Sequence, residues 1–254
     1  MPQYVLSLIH ILPPHFYGGF AECNYSPVGN MIRIPRELDP KTACVYACAG
    51  PTALHAFRLA SQAGFETGKT RVAVVQGLGP VGMFAVMALR AMGIPHVVAV
   101  ASSRKEDRDR LARASGVTEL FYLNDMPEET LIRKIRELND GIGADLVFEA
   151  SGNPHAFVQG LHMLRNRGMY LVPGQYSNSG AVEIPPQLIT FNALHIIGSS
   201  QYSVSDVKEY VCFLQQHPEL HPLISSLATC YPVSEINRAF EDAKAGKNIK
   251  TMLI

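Results

Sequence analysis

The chain carries no excess charge of either sign, its 22 lysines and arginines matching its 22 aspartates and glutamates. Without a positive field to grip a phosphate backbone, nucleic acid is not an expected partner. No apolar stretch approaches the roughly 20 residues that a bilayer span requires, so no membrane partner is expected either. Charged residues are few at 17% while apolar ones reach 47%. That is too hydrophobic for disorder and suits a globular enzyme with a well-buried sheet. Cysteine is sparse as well. Cys23, Cys44, Cys48, Cys212 and Cys230 include no C-x-x-C pair, which argues against a disulfide framework and a compact structural zinc site and favours a reducing, cytoplasmic setting. The apolar run at 5–12 has no Lys or Arg before it and is followed by Pro13 and Pro14, so it does not read as a signal peptide.

What is present is an alternation. From Arg71 onward, short β-branched runs alternate with stretches of helical spacing, the pattern of a parallel sheet covered on both faces. Strands are expected at 71–76, 96–101, 119–123, 144–149, 169–172 and 195–199, with helices at 80–92, 103–115, 125–138 and 154–166 between them. Ser103 and Glu106 have the spacing of a capping box for the second of these helices. Helical runs follow at 204–216 and 233–245. The fold class expected is α/β, a doubly wound parallel sheet of the Rossmann type. Its ligand site should lie outside the carboxyl ends of the strands.

Gly77-Leu78-Gly79-Pro80-Val81-Gly82 is a G-x-G-x-x-G that directly follows a strand and opens a helix. In that placement the first glycine serves a tight turn, the second lets backbone approach a pyrophosphate, and the third permits close helix packing. The helix N-terminus adds unpaired N–H groups and the positive end of its dipole. A NAD site usually places a carboxylate about 20 residues further on to hold the ribose hydroxyls. Here that place is Ala101, followed by Ser102, Ser103, Arg104 and Lys105. A small residue, hydroxyls and cations suit a 2′-phosphate, which favours NADP(H) over NAD(H). The alternative is that Ser103 only caps a helix and Arg104 is a solvated first-turn residue.

The glycine fingerprint, the strings Gly18-Gly19-Phe20-Ala21-Glu22, Ala47-Cys48-Ala49-Gly50-Pro51-Thr52-Ala53 and Phe148-Glu149-Ala150-Ser151-Gly152, and the closing Gly246-Lys247-Asn248-Ile249-Lys250 come in a specific order. Together they resemble the later part of a medium-chain dehydrogenase/reductase of the zinc-containing alcohol dehydrogenase type. The resemblance implies a nicotinamide cofactor, a small alcohol or carbonyl substrate, and a catalytic zinc in the full-length family. It makes Cys48 similar to the third protein ligand of that zinc and Thr52 to a catalytic side chain beside the nicotinamide. Pro173, Gly174 and Gln175 resemble the backbone that holds the carboxamide, and Lys250 a basic residue near the pyrophosphate. The plainer alternatives are a buried cysteine, a helix cap, a strand-end turn and an exposed cation, respectively.

The departures from the family are as informative. An early zinc-ligand cysteine, a Gly-His-Glu ligand segment and a four-cysteine lobe are not found, and neither His10 nor His15 matches the ligand segment. One cysteine cannot supply the three protein ligands of a catalytic zinc, so zinc is not expected in this chain. The organisation expected is a non-native leader at 1–12, the tail of a GroES-like catalytic domain at 13–49, the nucleotide domain at 50–197 and a return to the catalytic domain at 198–254. The leader is expected because residues 6–11 are similar to a translated transposon-end sequencing adapter. On these expectations the chain is an N-terminally truncated dehydrogenase that binds cofactor without turnover and possesses a sheet edge suited to a homo-oligomer. The competing expectations are a stand-alone nucleotide-binding or redox-sensing module, and a zinc-free reductase of the same superfamily.

Overall fold

A computed structural model describes residues 27–175 and 178–254. The expected leader, the string at 18–22, Cys23, His10 and His15 lie outside the described residues. The chain divides between Pro35 and Arg36 into two units. In the first, Val28–Asn30 forms a single 3₁₀ turn; the second holds the sheet.

Among the described residues that sheet has six strands: β1 (Val72–Gln76), β2 (His96–Ala101), β3 (Glu119–Tyr122), β4 (Ala144–Glu149), β5 (Leu164–Val172) and β6 (His195–Gly198). Their order is β3-β2-β1-β4-β5-β6, and every pairing is parallel. The order reverses between β1 and β4, which puts a crevice at the carboxyl ends of those two strands. All residues of β1 and β4 are buried, as strands covered on both faces must be. Asp145 ties their amino ends together. Its carboxylate accepts from the backbone N–H of Arg71 at 2.8 Å and Val72 at 3.0 Å, and from Arg165 Nε at 2.5 Å.

The crossover helices are α3 (Pro80–Ala91), α4 (Glu106–Ala114), α5 (Glu128–Glu137) and α6 (Pro154–Met163). They are preceded by α1 (Pro40–Val45) and α2 (Ala49–Gln62). Beyond the fifth strand come α7 (Pro186–Phe191), α8 (Val204–Gln216), α9 (His221–Ser226) and α10 (Ile236–Lys244), with a separate two-stranded parallel sheet of β7 (Ala228–Tyr231) and β8 (Lys250–Leu253). α3 has proline in its first turn, where its missing N–H costs nothing. Phe84 on α3 packs against Tyr46, Tyr210 and Phe213, with ring centroids 5.2–5.6 Å apart. α2 is bound to α8 through the fully buried Asp206, which Arg58 meets at 2.8 Å and His55 at 3.2 Å.

Three local expectations are corrected. The Ser103–Glu106 capping box does not form: α4 starts at Glu106 with Lys105 at its cap, and the Lys105 N–H donates to Asp109 at 3.2 Å. The Ser103 carbonyl is instead taken by the Arg108 guanidinium. The helix expected over 154–166 stops at Met163, because Leu164 already pairs with Ala144 in the sheet and a bulge follows. The run 233–245 opens as a 3₁₀ turn, Val233–Glu235, before α10 begins. Among the described residues no helix is long and apolar enough to cross a membrane.

Candidate nucleotide-binding site

The carboxyl ends of β1, β2 and β4 open onto a cleft of about 830 Å³. The Gly77-to-Pro80 turn, Ala101, Ser102 and Ser151 form one side, and the C-terminal loop 246–249 lines it as well. Each glycine of the turn has a distinct steric reason. Gly77 sits at φ +91°, and a Cβ there would stand 2.7 Å from Ser151 Cα. At Gly82 a Cβ would run into the Gly77 carbonyl oxygen. A Cβ at Gly79 would meet nothing within 4 Å. Two glycines thus close the turn against its neighbours, and the third leaves open space in front of the first turn of α3. That space, with helix N–H groups facing it, fits a pyrophosphate.

The segment packed against the turn is pinned by buried polar groups. Glu149, fully buried at the end of β4, accepts at Oε1 from Ser151 N–H (2.7 Å), Ser151 Oγ (2.5 Å) and Gly152 N–H (3.0 Å). Among the described residues its Oε2 has no hydrogen-bond partner, and it lies against Gly174, where a Cβ would collide with it. The Gly174 N–H donates to the Glu149 carbonyl at 2.9 Å, and Gln175 Nε2 to the Asn153 carbonyl at 2.9 Å. Pro173, Gly174 and Gln175 are therefore fastened to the turn after β4, although they do not line the cleft. Below them, Tyr170 Oη donates to Gln76 Oε1 at 2.9 Å, and Gln76 Nε2 donates to the Ala156 carbonyl at 2.8 Å. Burial, reinforced by the charge of Glu149, pushes the Tyr170 phenol well above its ordinary value.

The remaining residues singled out from the sequence are placed as follows. Gly77, Leu78, Gly79, Pro80, Ala101 and Ser102 line the cleft; Val81, Gly82, Ser103, Arg104 and Lys250 do not. Arg104 donates to Asp125 at 2.6 and 3.1 Å and lies 4.5 Å from the centroid of the Tyr122 ring. Lys250 opens β8, and the C-terminal lysine at the cleft is Lys247. Thr52, in the first turn of α2, donates its hydroxyl to the Cys48 carbonyl at 2.8 Å. Cys48 is exposed rather than buried. Its thiol lies beside Tyr202, whose phenol is pushed up to about 12 by burial first and by Cys48 second. Among the described residues no three His, Cys, Asp or Glu side chains gather as a metal site would require.

Lys105, which the sequence offered with Arg104, lines the cleft, and sequence reasoning gave no role to Arg108, Lys247 and Asn248, which line it too. Lys247 and Asn248 were in view within the closing string. Their partners could not be read from it: Asp242 holds the Lys247 ammonium at 2.5 Å, and Asn248 Nδ2 donates to Tyr231 Oη at 3.0 Å.

Comparison with known families gives one match, residues 80–216, more than half of the chain, to the family described as zinc-binding dehydrogenase. Among curated proteins, an L-threonine 3-dehydrogenase from Bacillus subtilis is 30% identical over 93% of this chain and 64% of its own length. A 5-exo-hydroxycamphor dehydrogenase from Pseudomonas putida is 29% identical over the same shares. An alcohol dehydrogenase structure from Thermotoga maritima superposes with a TM-score of 0.79 at 26% identity, covering 87% of this chain and 59% of that one. The chain thus spans somewhat under two thirds of the length of the relatives it matches.

Proposed function

Because the chain belongs to the zinc-binding dehydrogenase family, we propose that its cleft holds a nicotinamide adenine dinucleotide and that it forms the nucleotide half of an alcohol or carbonyl oxidoreductase. The observation that carries the proposal is the glycine turn. Gly77 and Gly82 are forced by close contacts, while Gly79 alone faces open space at a helix N-terminus. A plain turn would need the first two features but not the third.

Bound there, the cofactor supplies the hydride acceptor or donor, and the chain supplies its placement. The N–H groups of the first turn of α3 take the pyrophosphate oxygens. Glu149 holds the Ser151–Gly152 backbone still on one side of the site. The segment Pro173 to Gln175, tied to Glu149 and Asn153, is suited to bond the carboxamide. Thr52 stands at the start of α2 as the side chain beside the nicotinamide. Cys48 lacks two companion donors among the described residues, so the donor set does not fit a catalytic zinc and no step is assigned to one. The chain by itself is accordingly proposed to bind cofactor without turnover. β6, paired on one side only among the described residues, offers an edge for a homo-oligomer, and the free cysteines among them suit a reducing, cytoplasmic setting.

At the end of β2, Ala101 and Ser102 offer no carboxylate to the adenosine ribose, which supports NADP(H) over NAD(H). One charge-assisted hydrogen bond to a 2′-phosphate is worth roughly 1.5–3 kcal/mol, or about 10- to 100-fold in affinity. Titration of the purified chain by nicotinamide fluorescence tests this: NADPH should bind the more tightly of the two, with both displaced by 5′-AMP. Equal affinities, or NADH the tighter, would remove the preference, and no binding of either would remove the function.

A further inference from the structure

A chain of hydrogen-bonded side chains runs from the interior of the sheet to the lip of the cleft, and it has one direction. Tyr170 Oη donates to Gln76 Oε1 at 2.9 Å, Gln76 Nε2 donates to Gln159 Oε1 at 3.3 Å, and Gln159 Nε2 donates to Glu128 Oε2 at 3.2 Å. Tyr170, Gln76 and Gln159 are buried. Glu128, the first residue of α5, is exposed and lines the cleft. A carboxylate only accepts, so it orders the groups behind it: Gln159 must turn its N–H₂ to Glu128 and its oxygen to Gln76. Gln76 then gives its second N–H to the Ala156 carbonyl at 2.8 Å and takes the phenol at its oxygen. Gly160 makes room for the chain, since a Cβ there would stand 2.5 Å from Tyr170 Oη and 2.6 Å from Gln76 Oε1. The strand order shows what meets the far end. Outward from the glycine turn the strands run β1, β2, β3. With the pyrophosphate at the start of α3 and the ribose at Ala101, the base reaches the end of β3. There Leu123, 37% exposed and lining the cleft, offers an apolar surface to the face of the base, and Glu128 follows five residues on. Asn153 also lines the cleft, but its side chain is spent on the His155 N–H at the cap of α6.

We propose that Glu128, oriented by Gln159, accepts a hydrogen bond from the 6-amino group of the dinucleotide's base, so that the site selects a 6-aminopurine. The proposal rests on the cofactor assignment above and is independent of the ribose 2′-substituent. Gln159 takes Oε2, and the carboxylate has further lone pairs to offer into the cleft. An exocyclic amine donates to them, whereas a 6-oxo group would set acceptor against acceptor. Gln159, Gln76 and Tyr170 act through Glu128 as positioning residues.

Calorimetric titration with three nucleotides of the same ribose 5′-phosphate tests it: 5′-AMP, purine riboside 5′-monophosphate, which lacks the amino group, and 5′-IMP, which has oxygen in its place. The unaltered chain should bind 5′-AMP about tenfold more tightly than either of the others. Glu128→Gln, at an exposed residue, carries the specific signature. Because Gln159 presents N–H, the introduced amide must turn its oxygen to Gln159 and its N–H₂ to the cleft, so 5′-IMP should become the tighter ligand by about threefold or more. A side chain that merely supported α5 would move all three probes together. Gln159→Leu should narrow the gap to within about threefold, while Glu106→Gln, which alters another carboxylate on the cleft wall, should leave it at about tenfold. Equal affinities for 5′-AMP and the nucleotide without the amino group in the unaltered chain would overturn the proposal. So would a Glu128→Gln variant that keeps the original order. Failure of the cofactor assignment itself has a different signature, in that the unaltered chain would bind none of the three, and it would overturn this proposal too.

Discussion

Replacing Gly79 with alanine separates folding from binding. Gly79 caps α3 with φ −75° and ψ −174°, a conformation open to any L-residue. A methyl group there meets no atom within 4 Å, so the folded chain accommodates it without strain. Alanine restricts the unfolded chain but is a poorer N-cap than glycine, and as the two effects oppose each other stability should change by less than about 1 kcal/mol. The same methyl group, however, stands in the space in front of the α3 N–H groups that we assign to the pyrophosphate. Holding the phosphates off by a carbon atom's width forfeits at least one charge-assisted hydrogen bond, roughly 1.5–3 kcal/mol, or about a 10- to 100-fold loss of affinity. Thermal unfolding by circular dichroism reads the first effect and NADPH titration the second. An unchanged Kd for Gly79→Ala would refute the placement of the pyrophosphate. A large fall in Tm would refute the claim that this glycine is kept for the ligand rather than the fold.

Gly82→Ala should do the reverse: its Cβ would collide with the Gly77 carbonyl, so we expect a loss of about 1–3 kcal/mol in chemical denaturation. Burial acts to raise the Asp206 carboxyl, but the Ser203 N–H and hydroxyl, Arg58 and His55 outweigh it and bring it down from the ordinary 3.8 to about 2. A depressed carboxyl stabilises above its unfolded pKa, so about 2 kcal/mol should be present at neutral pH and drain away as pH falls from about 4 to 2. Asp206→Asn should flatten denaturation midpoints across that window, and an unchanged slope would contradict the assignment. Glu149→Ala strips the acceptor from Ser151 and Gly152; a drop of roughly 1–3 kcal/mol in stability and weaker NADPH binding should follow, with Glu149→Gln, which keeps one carbonyl oxygen, closer to the original.

The parts legible in the sequence were those governed by local pattern. β2, β4 and α8 lie where the short apolar β-branched runs and helical spacing put them, because a strand covered on both faces is a continuous apolar run and an amphipathic helix repeats with its own period. The glycine turn was legible because steric demands at Gly77 and Gly82 leave no other residue. The end of α6 was not, since the pull that stops it at Met163 is the pairing of Leu164 with Ala144 across the sheet. The start of α4 was misplaced because the Ser103 carbonyl has a guanidinium to satisfy it five residues on. At the site, Arg104 reads as a ribose ligand from its place after Ser103, and its pairing with Asp125, 21 residues away, could not be read from the sequence. Lys247 instead of Lys250 reaches the cleft because Asp242 and Tyr231 hold the closing loop. Such partners are set by tertiary packing, which carries no local signature.

Amide hydrogen exchange on the chain, with and without saturating NADPH, tests the central claim most directly. Slowed exchange is expected in the Gly77-to-Gly82 turn and in loop 246–249, the two walls of the cleft, with the open edge of β6 unchanged. Protection elsewhere, or none at these two segments, would contradict the assignment of this cleft to a dinucleotide.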